Sequence, residues 1–155
     1  MEPIGIIRTP FTRIENMPIQ PRGAADVQGE VHVQEQYVDG LQDLEGFSHI
    51  YLIYLFHKVD KTRLMVVPFM DKTERGVFAT RSPLRPNHIG LSIVELVSIN
   101  NRVLTVKGID VLDQTPLLDI KPYIEAFDRV ENSASGWMAG KAEDVAGKRS
   151  DDRFK

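Results

Sequence analysis

Cysteine is absent from this 155-residue chain. Its absence removes zinc–thiolate sites, redox dithiols and cysteine nucleophiles, and is neutral about compartment. No apolar run approaches the roughly 20 residues that a bilayer-crossing helix needs. The longest run, residues 50–56, has the length of a strand. The opening text, MEPIGIIRTPF, lacks a basic segment followed by a long apolar one, so no signal peptide is read there. A marked excess of positive charge is also missing: the formal net charge is −3. That balance argues against a broad basic surface that holds nucleic acid by neutralising many phosphates. These absences point to a soluble, cytoplasmic domain with at most a local basic patch, for which Arg75, Arg81 and Arg85 are the candidates.

What is present is a period of two. Residues 4–8, 28–36, 49–57, 64–67, 77–80, 89–99, 102–108 and 117–121 read as strands, with a short helix or turn over 38–44. The segment 49–57 is apolar on both strand faces, as a central strand requires, and 89–99 is long enough to predict a bulge. Asn100-Asn101 tolerates the positive φ of a tight hairpin. Short strands without alternating long helices favour a closed antiparallel barrel over a doubly wound sheet. No GxGxxG turn runs from a strand into a helix, which removes a Rossmann-type nucleotide site. The expected organisation is an all-β barrel domain over 1–130, then a short helix and mobile charged tail over 131–155, with Trp137 and Met138 as its anchors.

Two stretches carry candidate chemistry. In RSPLRPN, residues 81–87, two prolines stiffen the connection between strands and hold Arg81 and Arg85 on a rigid mount. A planar guanidinium there suits a carboxylate or phosphate; the plainer alternative is a surface turn with two solvated arginines. In GIDVLDQTPLLDIKPY, residues 108–123, Asp119, Lys121 and Tyr123 share one strand face, while Asp110 and Asp113 flank a turn. Asp119 and Lys121 suit a structural ion pair as well as they suit a site, and Gly108 suits either a bulge or the close approach of a ligand. His49 and His57 sit at opposite ends of one strand, about 26 Å apart at 3.3 Å per residue, so they cannot share a metal. With His32 and His88 isolated, no metal site is expected.

Taken together, five ordered blocks resemble the TsaA-like (TrmO-type) family. They are PIGIIRTPF, the QPRG loop, DGLQDLEGFSHIYLIYLFH, VFATRSPLRPNHIGLSIVEL and DQTPLLDIKPY. The resemblance implies a homodimeric barrel methyltransferase that uses S-adenosyl-L-methionine, with N6 of (threonylcarbamoyl)adenosine 37 in a tRNA anticodon loop as its substrate. It places the cofactor contacts on Pro21, Arg22 and Gly23, on His57 and Lys58, on Arg81, on Leu91, and on Gly108, Ile109 and Asp110. Adenosine N6 is a poor nucleophile, so a base or polarising group is expected, with Asp110, Asp119 or Tyr123 as candidates. Arg85, Asn87 and Lys121 are the candidate substrate contacts. This chain reads PNHIG and DQTP where many relatives read PNPIG and DGTP, and where the bacterial tRNA enzymes carry an additional small C-terminal domain only a charged tail is expected after Tyr123. The alternatives are a methyltransferase for another nucleotide or small molecule, and a sensor that binds the cofactor without transferring its methyl.

Overall fold

The computed structural model describes residues 1–15, 25–69 and 71–140. In chain order its strands are β1 (Gly5–Arg8), β2 (Gln28–Val33), β3 (His49–Leu55), β4 (Met65–Val66), β5 (Arg75–Gly76), β6 (Ile89–Asn100), β7 (Val103–Lys107) and β8 (Thr115–Pro122). Six of them close an antiparallel barrel in the order β1-β2-β7-β6-β3-β8, and β4 pairs with β5 apart from it. A single helical turn, α1 (Glu125–Asp128), follows β8.

Alternation decides what each strand buries. On β3, Ile50, Leu52 and Tyr54 point into the barrel, whereas Tyr51, Ile53 and Leu55 are half-buried on its outside. β3 is hydrogen-bonded along both edges, to β6 and to β8, and its outer face is apolar as well as its inner one. On β6, Gly90, Ser92 and Val94 face inward and Leu91, Ile93 and Glu95 face outward. The inward rows meet Ile7, Val31, Leu104 and Leu117, all fully buried, in one core. Each such side chain contributes about 1.5–3 kcal/mol relative to leaving it in water.

The expected bulge is present: the β6–β7 register shifts between Leu96 and Ser98. Asn101 takes φ 58 in the β6–β7 hairpin. Residues 77–80 differ from expectation, forming a 3-10 turn (Val77–Ala79) rather than a strand. The Val77 carbonyl accepts both the Thr80 amide (3.1 Å) and the Thr80 hydroxyl (2.8 Å), which curls the chain after β5 and buries Val77. Val77, Val66 and Leu84 then make a second small core beside the barrel. The segment 38–44 also resolves into 3-10 turns, Glu35–Leu41 and Leu44–Gly46.

Antiparallel closure fixes which loops share an end. The C-terminal ends of β1, β3 and β7 and the N-terminal ends of β2, β6 and β8 form one rim. Residues 56–58, 81–88 and 108–114 leave the barrel there. The opposite rim carries His49 and Pro122, which starts and ends its strand respectively.

Candidate functional site at one rim of the barrel

Sequence-distant polar groups converge just inside this rim. Tyr54 and Ser92 point inward from neighbouring strands, and the Tyr54 hydroxyl lies 2.9 Å from Ser92 Oγ. Ser92 Oγ donates to Asp110 Oδ1 at 2.8 Å. Because the serine hydrogen is committed to the carboxylate, Tyr54 is the donor in the first bond. Asp110 follows β7 and keeps some contact with solvent, while Tyr54 and Ser92 are buried.

Burial pushes the Asp110 carboxyl up to about 7, against the downward pull of Ser92, of its own backbone and of Arg81. Burial, and then the Asp110 charge, push the Tyr54 phenol well above its ordinary range, so it stays a neutral donor. The Arg81 charge acts on both groups, lowering each, and Arg81 itself is exposed on the loop before β6.

His57 lies next along the rim. Its Nδ1 is 3.4 Å from Thr115 Oγ1, whose own hydrogen goes to the Leu112 carbonyl at 2.6 Å. The imidazole is therefore assigned as the donor, leaving Nε2 to accept in the neutral ring. Burial and the Lys58 charge lower its pKa, so the ring is neutral over a wider range than usual. Gly108 has φ 83 and open space where a Cβ would be. Ile109 is fully buried, with its amide directed at the Val27 carbonyl 3.5 Å away, so it supports the rim from within the core. Leu91, 54% exposed, lies on the outer face of β6, on the other side of the strand from Ser92.

Asp119, Lys121 and Tyr123 are not brought to this cluster. Asp119 sits opposite Ile53 on the outer face and pairs with Lys121 at 3.1 Å. The Tyr123 amide donates to the His49 carbonyl, and its ring packs 5.9 Å from that of Tyr51 at the far end. At roughly 3.3 Å per residue, Tyr123 stands about 26 Å along the strand from Thr115. Arg85 Nη1 donates to the Thr80 and Ser82 carbonyls, each at 3.1 Å, and Asn87 is exposed on the same loop. Pro21, Arg22 and Gly23 lie outside the described residues.

Sequence reasoning missed Tyr54, Ser92 and Thr115. Their signal was a polar group at an inward position of a strand, since a buried tyrosine or serine needs a hydrogen-bond partner. Among the described residues there is no group of three or more His, Cys, Asp or Glu side chains arranged to hold a metal, and no helix long and apolar enough to cross a membrane.

A six-stranded closed antiparallel barrel with a carboxyl held at a polar rim places the chain in the class of small closed β-barrel domains. Residues 6–129 match the tRNA-methyltransferase O N-terminal domain, and the chain belongs to that family. It is 47% identical over 152 residues to a probable S-adenosyl-L-methionine-binding protein of Pyrococcus abyssi, covering 98% of this chain and 83% of that one. It is 34% identical over 146 residues to the tRNA (adenine(37)-N6)-methyltransferase of Escherichia coli, covering 88% of this chain and 62% of the relative. The crystal structure of TrmO from Pseudomonas aeruginosa superposes with a TM-score of 0.73 at 38% identity, covering 88% of this chain and 60% of that one. The chain thus spans about three fifths of the tRNA methyltransferase and of the crystal structure.

Proposed function

We propose that the protein is an S-adenosyl-L-methionine-dependent methyltransferase that acts on N6 of (threonylcarbamoyl)adenosine 37 in tRNA. Family membership supports the activity, and the single structural observation that carries the mechanism is the Asp110 carboxyl held at the rim by Ser92. The donor set fits such a cofactor: a guanidinium for its carboxylate, a carboxylate and an imidazole for its donors, and the unfilled space at Gly108 for close approach.

When bound, the cofactor supplies a methyl group already activated on sulfonium; the nitrogen–carbon bond forms as the carbon–sulfur bond breaks, and the electron pair leaves with sulfur. The protein's residues orient the two reactants in line and keep water out. Arg81 would take the cofactor carboxylate, while His57, Lys58 and Gly108 would bound the pocket with Ile109 packed beneath it. Leu91 extends the cofactor set around the rim to the outer face of β6. Pro21, Arg22 and Gly23 complete the set. Asp110, half ionised near neutral pH and ionised above it, accepts the proton that the attacking nitrogen releases; a base works best when its pKa lies near the working pH. Asp119 and Tyr123 do not share this rim, so Asp110 is the favoured base among the three candidates.

Arg85 and Asn87 stand on the loop beside the cofactor site and are the proposed contacts to the anticodon loop, with Lys121 further along the outer face. An unstacked base and a few phosphate contacts suit a chain of net charge −3 better than a broad basic footprint does. A homodimer is supported by the outer face of the β6–β3 sheet, where Leu91 (54% exposed) and Ile93 (40% exposed) lie opposite Ile53 and Tyr51. A cytoplasmic location follows from a tRNA substrate. Barrel, rim and short helical turn form the proposed 1–130 domain. Its partner region, 131–155, is described only to residue 140.

Incubation with labelled cofactor and tRNA lacking the methyl group, followed by nucleoside mass spectrometry, tests the reading. N6-methylated nucleoside at position 37 is the expected product. Tight cofactor binding with no methylated nucleoside in any RNA would favour the sensor instead.

A further inference from the structure

Tyr54 and Ser92 are buried polar groups that the family comparison does not assign, and their geometry goes further than filling a core. In a six-stranded barrel every inward position is valuable apolar volume, yet two neighbouring strands here present hydroxyls to each other. Gly90 makes this possible. A Cβ at position 90 would lie 2.2 Å from Tyr54 Cε2, so the ring can lie across β6 only because residue 90 has no side chain. Tyr54 and Gly90 are directly opposed in the β3–β6 ladder, and Ser92 is the next inward residue of β6, where the tyrosine hydroxyl arrives.

We propose that Ser92 and Tyr54 are positioning residues for Asp110: Tyr54 donates to Ser92, Ser92 donates to Asp110 Oδ1, and this chain orients the carboxylate and sets its affinity for a proton. Two hydrogens serve the run of three groups, and both point toward the carboxylate. Such a polarised chain favours the anion. The charged and titratable groups that bear on Asp110 among the described residues are Tyr54 from β3 and Arg81 from the loop before β6. With Oδ1 tied to the barrel wall, Oδ2 is the oxygen available to take a proton. That catalytic consequence rests on the reading of Asp110 as proton acceptor; the positioning itself does not.

The experiment follows the Asp110 carboxyl directly. Protein labelled with ¹³C at aspartate carboxyls is titrated by NMR, with Asp110→Asn used to assign the resonance, for wild type, Ser92→Ala, Ser92→Thr and Tyr54→Phe. Loss of a hydrogen bond to a charged group raises the midpoint by about one unit or more in Ser92→Ala. Ser92→Thr, which keeps the hydroxyl, restores the midpoint to within a few tenths of a unit. Tyr54→Phe gives a smaller upward shift, and it also carries the test if Ser92→Ala does not fold. A midpoint unchanged in both Ser92→Ala and Tyr54→Phe overturns the inference.

The pH–rate profile of methyl transfer then separates the two claims. If its acidic limb moves up with the NMR midpoint, both stand. If the midpoint moves and the limb does not, positioning stands and Asp110 is removed as the proton acceptor.

Discussion

One oxygen atom, Ser92 Oγ, joins Tyr54 to Asp110, lying 2.9 Å from the phenol oxygen and 2.8 Å from carboxylate Oδ1. The three groups come from β3, from β6 and from the segment after β7, so the rim's chemistry depends on the barrel being closed in its native register.

Asp110 carries a measurable conflict between stability and activity. Its carboxyl is held up at about 7 in the fold, whereas an unfolded aspartate titrates near 3.9. Between these values the folded protein keeps a proton that the unfolded chain has released, so stability declines as pH rises from about 4 to about 7 and is flat above. Asp110→Asn removes that charge. Thermal melts should show the variant more stable than wild type at pH 8, by on the order of 2 kcal/mol after allowing for partial exposure, and the gap should close toward pH 4. Methyl transfer by the same variant should fall roughly 10²–10⁴-fold.

Gly90→Ala tests the packing beneath that chain. The added methyl would overlap the Tyr54 ring, so the ring must leave its place or the strands must part. Overpacking of this kind costs about 1–3 kcal/mol. Denaturant unfolding should show the loss, and the Asp110 titration should shift in the same direction as in Tyr54→Phe.

Arg81 and Arg85 should behave differently although they share one loop. Calorimetry should show wild type binding the cofactor in the micromolar range and Arg81→Ala binding it about ten- to a hundredfold more weakly, the worth of a charged contact of about 1.5–3 kcal/mol. Arg85→Ala loses the bonds that tie its side chain to the Thr80 and Ser82 carbonyls. Its melting point should drop by the equivalent of about 1 kcal/mol, with cofactor affinity falling less than in Arg81→Ala. Equal losses of affinity in the two variants would remove the special role of Arg81.

Trp137 is the only tryptophan in the chain. Its Nε1 donates to the Ala79 carbonyl at 2.8 Å, and the Arg75 guanidinium lies 5.2 Å from its ring centre. Its fluorescence therefore reports on the segment that leads into the Arg81 loop. Arg75→Ala should shift its emission to the red and increase quenching by iodide, while the barrel's far-ultraviolet circular dichroism stays the same. Unchanged emission would mean that the stacking is not maintained in solution.

Much of the barrel was legible because β2 declares itself through alternation, with Val31 and Val33 set against Glu30 and His32, and because β3 is a continuous apolar run of strand length. The Asp119–Lys121 pair was also readable, since residues two apart on a strand share a face. Val77 was misleading: VFAT has strand composition, but the Thr80 hydroxyl captures the Val77 carbonyl and turns the chain instead. The hydrogen-bond chain from Tyr54 to Asp110 was hidden for a different reason. It follows from strand register, and register across a closed barrel is set by the whole sheet rather than by any local stretch of sequence.

The seam between β1 and β8, where Gly5 lies opposite Leu117, has a consequence for synthesis on the ribosome. The first strand made must wait for the last. Until Pro122 has left the exit tunnel, β1 and β3 each lack a neighbour, and the nascent sheet exposes two open edges able to pair with other chains. Chaperone occupancy along the message should therefore stay high through β7 and fall only after the β8 codons have been translated.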